Sequence, residues 1–124
     1  MADPRLAQFV GQQYMSLETF KKNGQGVKTP VWFVLDGNVL YVYTDGNSWK
    51  VKRIRNHPRV RVAVCSMRGD VKGPWVDATA SIIAGEEERA AHRLLDRKYF
   101  LKLIGNVVAK MSRRTRATIR IDVA

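Results

Sequence analysis

One cysteine in 124 residues, Cys65, excludes an intramolecular disulfide framework. It closes the apolar run 60–64, where a reduced, inert core thiol is expected. Histidine is equally scarce. His57 stands beside a proline and His92 on a predicted helix, so with one cysteine they offer no metal-ligand spacing, and no metal is expected. Neither a nucleophile–base triad nor a paired-carboxylate motif occurs, which leaves no side chain assigned as catalytic. No apolar run approaches the ~20 residues of a membrane span. The first residues, Met1-Ala2-Asp3-Pro4-Arg5, lack the basic-then-apolar profile of a signal peptide. The expectation is a cytoplasmic chain with no membrane partner.

Acidic residues are few: 11 Asp and Glu face 22 Lys and Arg, a net charge of +11. Such a balance draws nucleic acid, anionic lipid or a small polyanionic ligand, and composition alone does not choose among them. Hydrophobic residues make up 45% of the chain, enough for a packed core. The length suits one domain spanning 1–124. There is no internal repeat and no low-complexity linker.

Periodicity and turn chemistry divide the chain into six strands and two to three helices. Leu6, Phe9 and Val10 behind Asp3 predict a short leading helix ending near Gly11. Residues 14–20 and 27–35 read as strands joined at Asn23-Gly24, and Asp36-Gly37 leads into a third over 39–44. Ser48 is the natural N-cap of a basic helix over 49–56, stopped by His57-Pro58. A fourth strand over 60–67 places Arg59 and Arg61 outward, and a fifth runs over 74–84. Glu86, Glu87 and Glu88 open the longest helix, to about Leu101, with Ala90, Ala91, Leu94, Leu95 and Tyr99 on its apolar face. Further helical turns over 103–111 and a sixth strand over 117–123 complete the chain. Six strands with short connections carry too little helix for a doubly wound sheet and are too compact for a sandwich. The class that fits is a small closed barrel, mainly β with α.

The segment 28–55 carries the chemistry. A helix N-terminus exposes backbone N–H groups that make an anion site. Thr44 and Ser48 add hydroxyls there, and Lys50, Lys52, Arg53 and Arg55 crowd cations into little more than two turns. Val51 and Ile54 anchor the helix, leaving Lys50 beside Arg53, while Lys52 starts nearer the opposite side. The bland reading of this charge run is a solvated helix face. Its position, after a turn at the end of a barrel strand, favours a ligand site.

Three strings carry a family resemblance over most of the chain. Tyr43-Thr44-Asp45-Gly46-Asn47-Ser48-Trp49-Lys50 resembles, in register, the phosphate segment of the pyridoxamine 5′-phosphate oxidase-like split-barrel superfamily, with Trp49 in place of an arginine. Lys28-Thr29-Pro30-Val31-Trp32-Phe33 resembles the strand lining the cofactor ring. Gly73-Pro74-Trp75-Val76 and the run 50–60 are similar to the branch that uses the deazaflavin coenzyme F420. The resemblance implies a six-stranded antiparallel split β-barrel of the FMN-binding type with peripheral helices. It implies a homodimer holding two cofactors at its interface, and an oxidoreductase passing a hydride from reduced F420 to a small organic acceptor. The implied phosphate ligands are Thr44, Ser48, Lys50 and Lys52 or Arg53. Trp49, Val51 and Trp75 complete the cofactor set, with the ring against Lys28, Thr29, Pro30 and Val31. Arg59, Arg61 and Arg68 are candidate contacts for the acidic oligoglutamate tail of F420.

Trp49 departs from the pattern in a way that matters. A planar bidentate donor has become an indole that cannot pair with phosphate, which weighs against simple transfer of an FMN site. Three other readings stand beside the deazaflavin reductase: an FMN-dependent oxidase or reductase, a non-enzymatic F420 carrier, and a nucleic-acid-binding small barrel. The last is disfavoured because no single strand face alternates aromatic and basic residues.

Overall fold

Why the strands close is visible in their alternation. In the computed structural model, which describes residues 3–99 and 116–123, β1 (Tyr14–Phe20), β2 (Gly26–Asp36), β3 (Val39–Asp45), β4 (Arg59–Val64), β5 (Val76–Ile83) and β6 (Arg116–Val123) form a closed antiparallel barrel. The strand order is β1-β2-β3-β6-β5-β4. Met15 and Leu17 of β1, Val31 and Phe33 of β2, Leu40 and Val42 of β3, Val60 and Val62 of β4, Ala78 and Ala80 of β5, and Ile119 and Ile121 of β6 all point inward. Alternate residues fall on one face because the strand period is two, so closure buries one side chain set from every strand. Leu6 and Phe9 of the leading segment join this core, with Phe9 edge-on to Phe33 at 5.6 Å.

Among the described residues two α-helices pack outside the barrel wall. Helix α1 (Trp49–Asn56) buries Val51 and Ile54, as their spacing predicts. Ser48 caps it, its side chain accepting the Val51 N–H, and His57 ends it. Helix α2 (Gly85–Lys98) lays Ala91 and Leu95 on a second apolar cluster with Val34, Tyr41 and Tyr99. The acidic first turn of α2 also fastens it: Glu87 accepts from the Tyr41 hydroxyl and pairs with Arg120, which also holds Asp122.

Several boundaries differ from the sequence expectation for local reasons. The leading segment is a 3-10 helix, Pro4–Phe9, capped by Asp3. Strand β4 stops at Val64 rather than residue 67, because Ser66 opens a tight loop: its N–H reaches the Asp70 carbonyl and its Oγ accepts from the Arg68 and Asp70 amides. Strand β5 starts at Val76 rather than Pro74. Pro74 has no N–H for a ladder, and its carbonyl accepts from the Gln8 side chain. The expected helical turns over 103–111 and the end of the long helix at Leu101 lie outside the described residues.

Candidate functional site

The barrel is split on one side, and the candidate site lies at the split. The β2–β3 ladder runs from Asp36↔Val39 to Phe33↔Val42 and stops. On its other edge β2 stays paired with β1 down to Gly26↔Phe20, and β3 stays paired with β6 to Asp45↔Arg116. Extending the β2–β3 register by two residues would set Val31 opposite Thr44, but no ladder joins them. The facing edges therefore belong to the two segments that carry the resemblance.

On the β3 side, the chain turns after Asp45 into α1, and a corner forms where Thr44, Ser48 and the first turn of the helix meet. Thr44 Oγ1 lies 3.4 Å from Ser48 Oγ, which also lies 3.4 Å from the Val51 amide. The Val51 side chain is fully buried, so Val51 presents only its backbone N–H to this corner. Lys50 is half-buried next to Arg53, and burial, with the Arg53 charge second, lowers its ammonium below the ordinary lysine range. No carboxylate pairs with Lys50, Lys52 or Arg53 among the described residues. A partly desolvated cation without a counter-charge is costly unless something anionic arrives.

Lys52 does not curl round to this corner. Its ammonium sits 4.5 Å from the centroid of the Trp49 ring, and both side chains face outward. Arg53 bridges the two sides, with its guanidinium donating to Thr19 Oγ1 at 3.2 Å. That bond pins α1 to the end of β1. Trp49, Lys52 and Arg53 then line an open groove of about 880 Å³ together with Phe20, Lys21, Lys22, Arg55, Asn56 and His57. The sequence did not single out Phe20, Lys21 or Lys22. Lys21-Lys22 flank a hairpin turn, and nothing local says that this hairpin closes against α1.

On the β2 side the pleat separates the four ring-lining candidates. Val31 points into the barrel core, and Thr29 shares its face, while Lys28 and Pro30 point outward and are exposed. Thr29 Oγ1 is buried and has no hydrogen-bond partner. Lys28 lies 5.3 Å from the Trp75 ring centroid, and Arg61 lies 5.0 Å from it, so Trp75 is held by two cations. Beneath them runs a charged row across three strands: Lys28 registers with Glu18, and Glu18 with Arg61. Glu18 is only 7% exposed and accepts from Arg61 at 3.2 Å. Arg61 also approaches Asp77, which ties down one of the candidate tail contacts, whereas Arg59 and Arg68 are exposed. The structure thus forms two groups, one around Thr44, Ser48 and α1, the other around Lys28 and Trp75, on opposite sides of the split.

Among the described residues no cluster of His, Cys, Asp and Glu could hold a metal ion, and no helix is long and apolar enough to cross a membrane.

Comparison with known proteins gives a family and a fold. A family model described as pyridoxamine 5′-phosphate oxidase matches residues 2–124. No curated protein matches the sequence. Among solved structures, a heme storage protein from Vibrio cholerae superposes with a TM-score of 0.74 at 14% identity, covering 100% of this chain and 92% of that one. An F420 reductase gives 0.67 at 16% identity, covering 100% and 96%. A FAD-binding protein from Mesorhizobium loti gives 0.68 at 15% identity, covering 97% and 87%. At these identities the likeness is one of fold.

Proposed function

Because this chain belongs to the pyridoxamine 5′-phosphate oxidase family, we propose that it is an oxidoreductase that binds reduced coenzyme F420 and passes a hydride to a small organic acceptor. The observation that carries the reading is the split itself. It sets the orphaned Thr29 hydroxyl on one side and, on the other, a hydroxyl pair and an unpaired, half-buried lysine at a helix start. Those residues fit a group with a planar hydrogen-bonding ring at one end and a phosphate further along.

The assignment follows the chemistry of each donor. Thr44, Ser48, Lys50 and Arg53 hold the phosphate. Lys28, Pro30 and Trp75 offer side chains to the ring side, and Thr29 offers its buried hydroxyl. When bound, the deazaflavin supplies the hydride. The protein's part is to bind, orient and keep water out, which matches a sequence with no acid–base constellation. Two sites at a homodimer interface complete the proposal, with the partner closing the open side of the split.

F420 is preferred to FMN because Trp49 removes a bidentate phosphate donor. Equilibrium binding of F420 and of FMN to the apoprotein, read by fluorescence at near-physiological salt, tests the reading. Micromolar or tighter F420 with weaker FMN supports it. The reverse order assigns the chain to FMN, and binding of neither removes the cofactor reading. Turnover with candidate acceptors then separates a reductase from a carrier.

A further inference from the structure

The groove between α1 and the β1–β2 hairpin has a composition that a phosphate corner does not need. Lys21, Lys22, Lys52, Arg53 and Arg55 line it, no acidic residue does, and three rings share its wall: Trp49, Phe20 and His57. Trp49 is 69% exposed, an unusual position for a side chain with so much apolar area to bury. Phe20 and His57 lie 5.8 Å apart with tilted rings. None of Lys21, Lys22, Lys52 or Arg55 makes an ion pair among the described residues. A second hollow of about 380 Å³ continues past the same Phe20 and His57 to Arg59 and Arg61, where Asp77 is the one acidic group.

We propose that this groove is a binding site for single-stranded nucleic acid. Unpaired cations following a track supply the phosphate contacts, and exposed rings supply faces on which unpaired bases stack, which is the combination single-strand binders use. No single strand of the sequence alternates aromatic and basic residues. The fold assembles that mixture from the end of β1, the hairpin tip and the outer face of α1. Charge complementarity alone would admit any polyanion, including an acidic peptide. The exposed indole is what favours bases, because a carboxylate chain gains nothing from a flat apolar face. Trp49 is also where the chain departs from the arginine of the phosphate segment it resembles, exchanging a phosphate donor for a stacking surface.

The site is separable from the proposed cofactor corner, since Lys21, Lys22 and Phe20 take no part in the latter. The test is fluorescence anisotropy of a labelled oligothymidylate with the full-length apoprotein. With five cations engaged, affinity is expected to fall about 100-fold between 50 and 200 mM salt. Trp49→Ala, which keeps every charge, should weaken binding at least about fivefold, the low end for one base-stacking contact. Lys21→Ala with Lys22→Ala should weaken it at least about tenfold and leave F420 affinity unchanged. A duplex should bind less tightly than the single strand. Equal binding by wild type and Trp49→Ala would overturn the proposal, as would displacement of the oligonucleotide by oligoglutamate at matched charge. Either result would make the groove a reader of charge alone.

Discussion

The hydroxyl of Tyr99 stands where a strand should be paired: it accepts the Phe33 amide N–H at 2.9 Å, at the position where the β1–β2 register would set Gln13 opposite Phe33. Its single proton lies within reach of both the Gln13 and the Phe33 carbonyls, at 2.7 and 2.6 Å. The Tyr99 ring stacks flat on Trp32 at 4.6 Å. Burial pushes the phenol pKa upward, so the hydroxyl keeps its proton throughout the stable pH range. Tyr99→Phe keeps the stack and removes only the oxygen, leaving a buried N–H without a partner. The expected loss is about 1–3 kcal/mol, read as a lower urea midpoint at unchanged slope. No loss would mean that water replaces the hydroxyl.

Lys98, one residue earlier, donates to the same Phe33 carbonyl at 2.8 Å and sits 3.8 Å from the Phe33 ring centroid. Burial lowers its pKa to about 8 from 10.5. Below pH 8 the lysine is protonated in both folded and unfolded chains, so it adds no pH dependence. Between pH 8 and 10.5 the unfolded chain binds the extra proton, and stability rises with pH. The stability of wild type relative to Lys98→Met should therefore be flat below pH 8, climb to pH 10.5 and level off. A difference that stays flat throughout would place Lys98 in solvent.

How much of this was legible in the sequence depends on the range of the interaction. Ser48 as a cap, Val51 and Ile54 as anchors, and the alternation of Ala117 to Val123 are set by neighbours a few residues away, and each appears as expected. The split of the barrel was not legible from spacing. It depends on where the β2–β3 ladder stops relative to those of β1 and β6, which no local pattern encodes. The same holds for Lys21 and Lys22, brought beside α1 by closure of the barrel and by the Arg53–Thr19 bond. Lys28 and Trp75, distant in sequence, meet for the same reason.

Gly73 illustrates a long-range requirement written as a single small residue. A Cβ there would lie 2.3 Å from Gln8 Oε1 and 2.9 Å from Val64 Cγ1. Gln8 cannot simply yield, because its oxygen accepts the Val64 N–H at 2.9 Å and its nitrogen donates to the Pro74 carbonyl at 2.9 Å. Gly73→Ala should therefore destabilise by about 1–3 kcal/mol, the range for forced overpacking, and free the loop that carries Trp75. Intrinsic tryptophan fluorescence together with thermal unfolding checks both effects. Wild-type stability in the variant would mean that Gln8 has another resting place.

Lys50 offers the sharpest separation of function from stability. Its ammonium is half-buried beside Arg53 and has no carboxylate partner among the described residues, so in the apoprotein the charge is a cost. Ser48 works the other way, since its Oγ accepts the Val51 amide and caps α1. Lys50→Ala should leave the apoprotein as stable as wild type or slightly more so, whereas Ser48→Ala should cost about 0.5–2 kcal/mol through the lost cap. Both remove a phosphate ligand in the proposed site. Together they should weaken F420 binding more than tenfold, about 1.4 kcal/mol, with the fold retained. Circular dichroism melts and equilibrium titration of the single and double variants resolve the two effects. If Lys50→Ala destabilises the chain and leaves F420 affinity untouched, Lys50 is a structural residue and the anion corner at α1 is not where the phosphate binds.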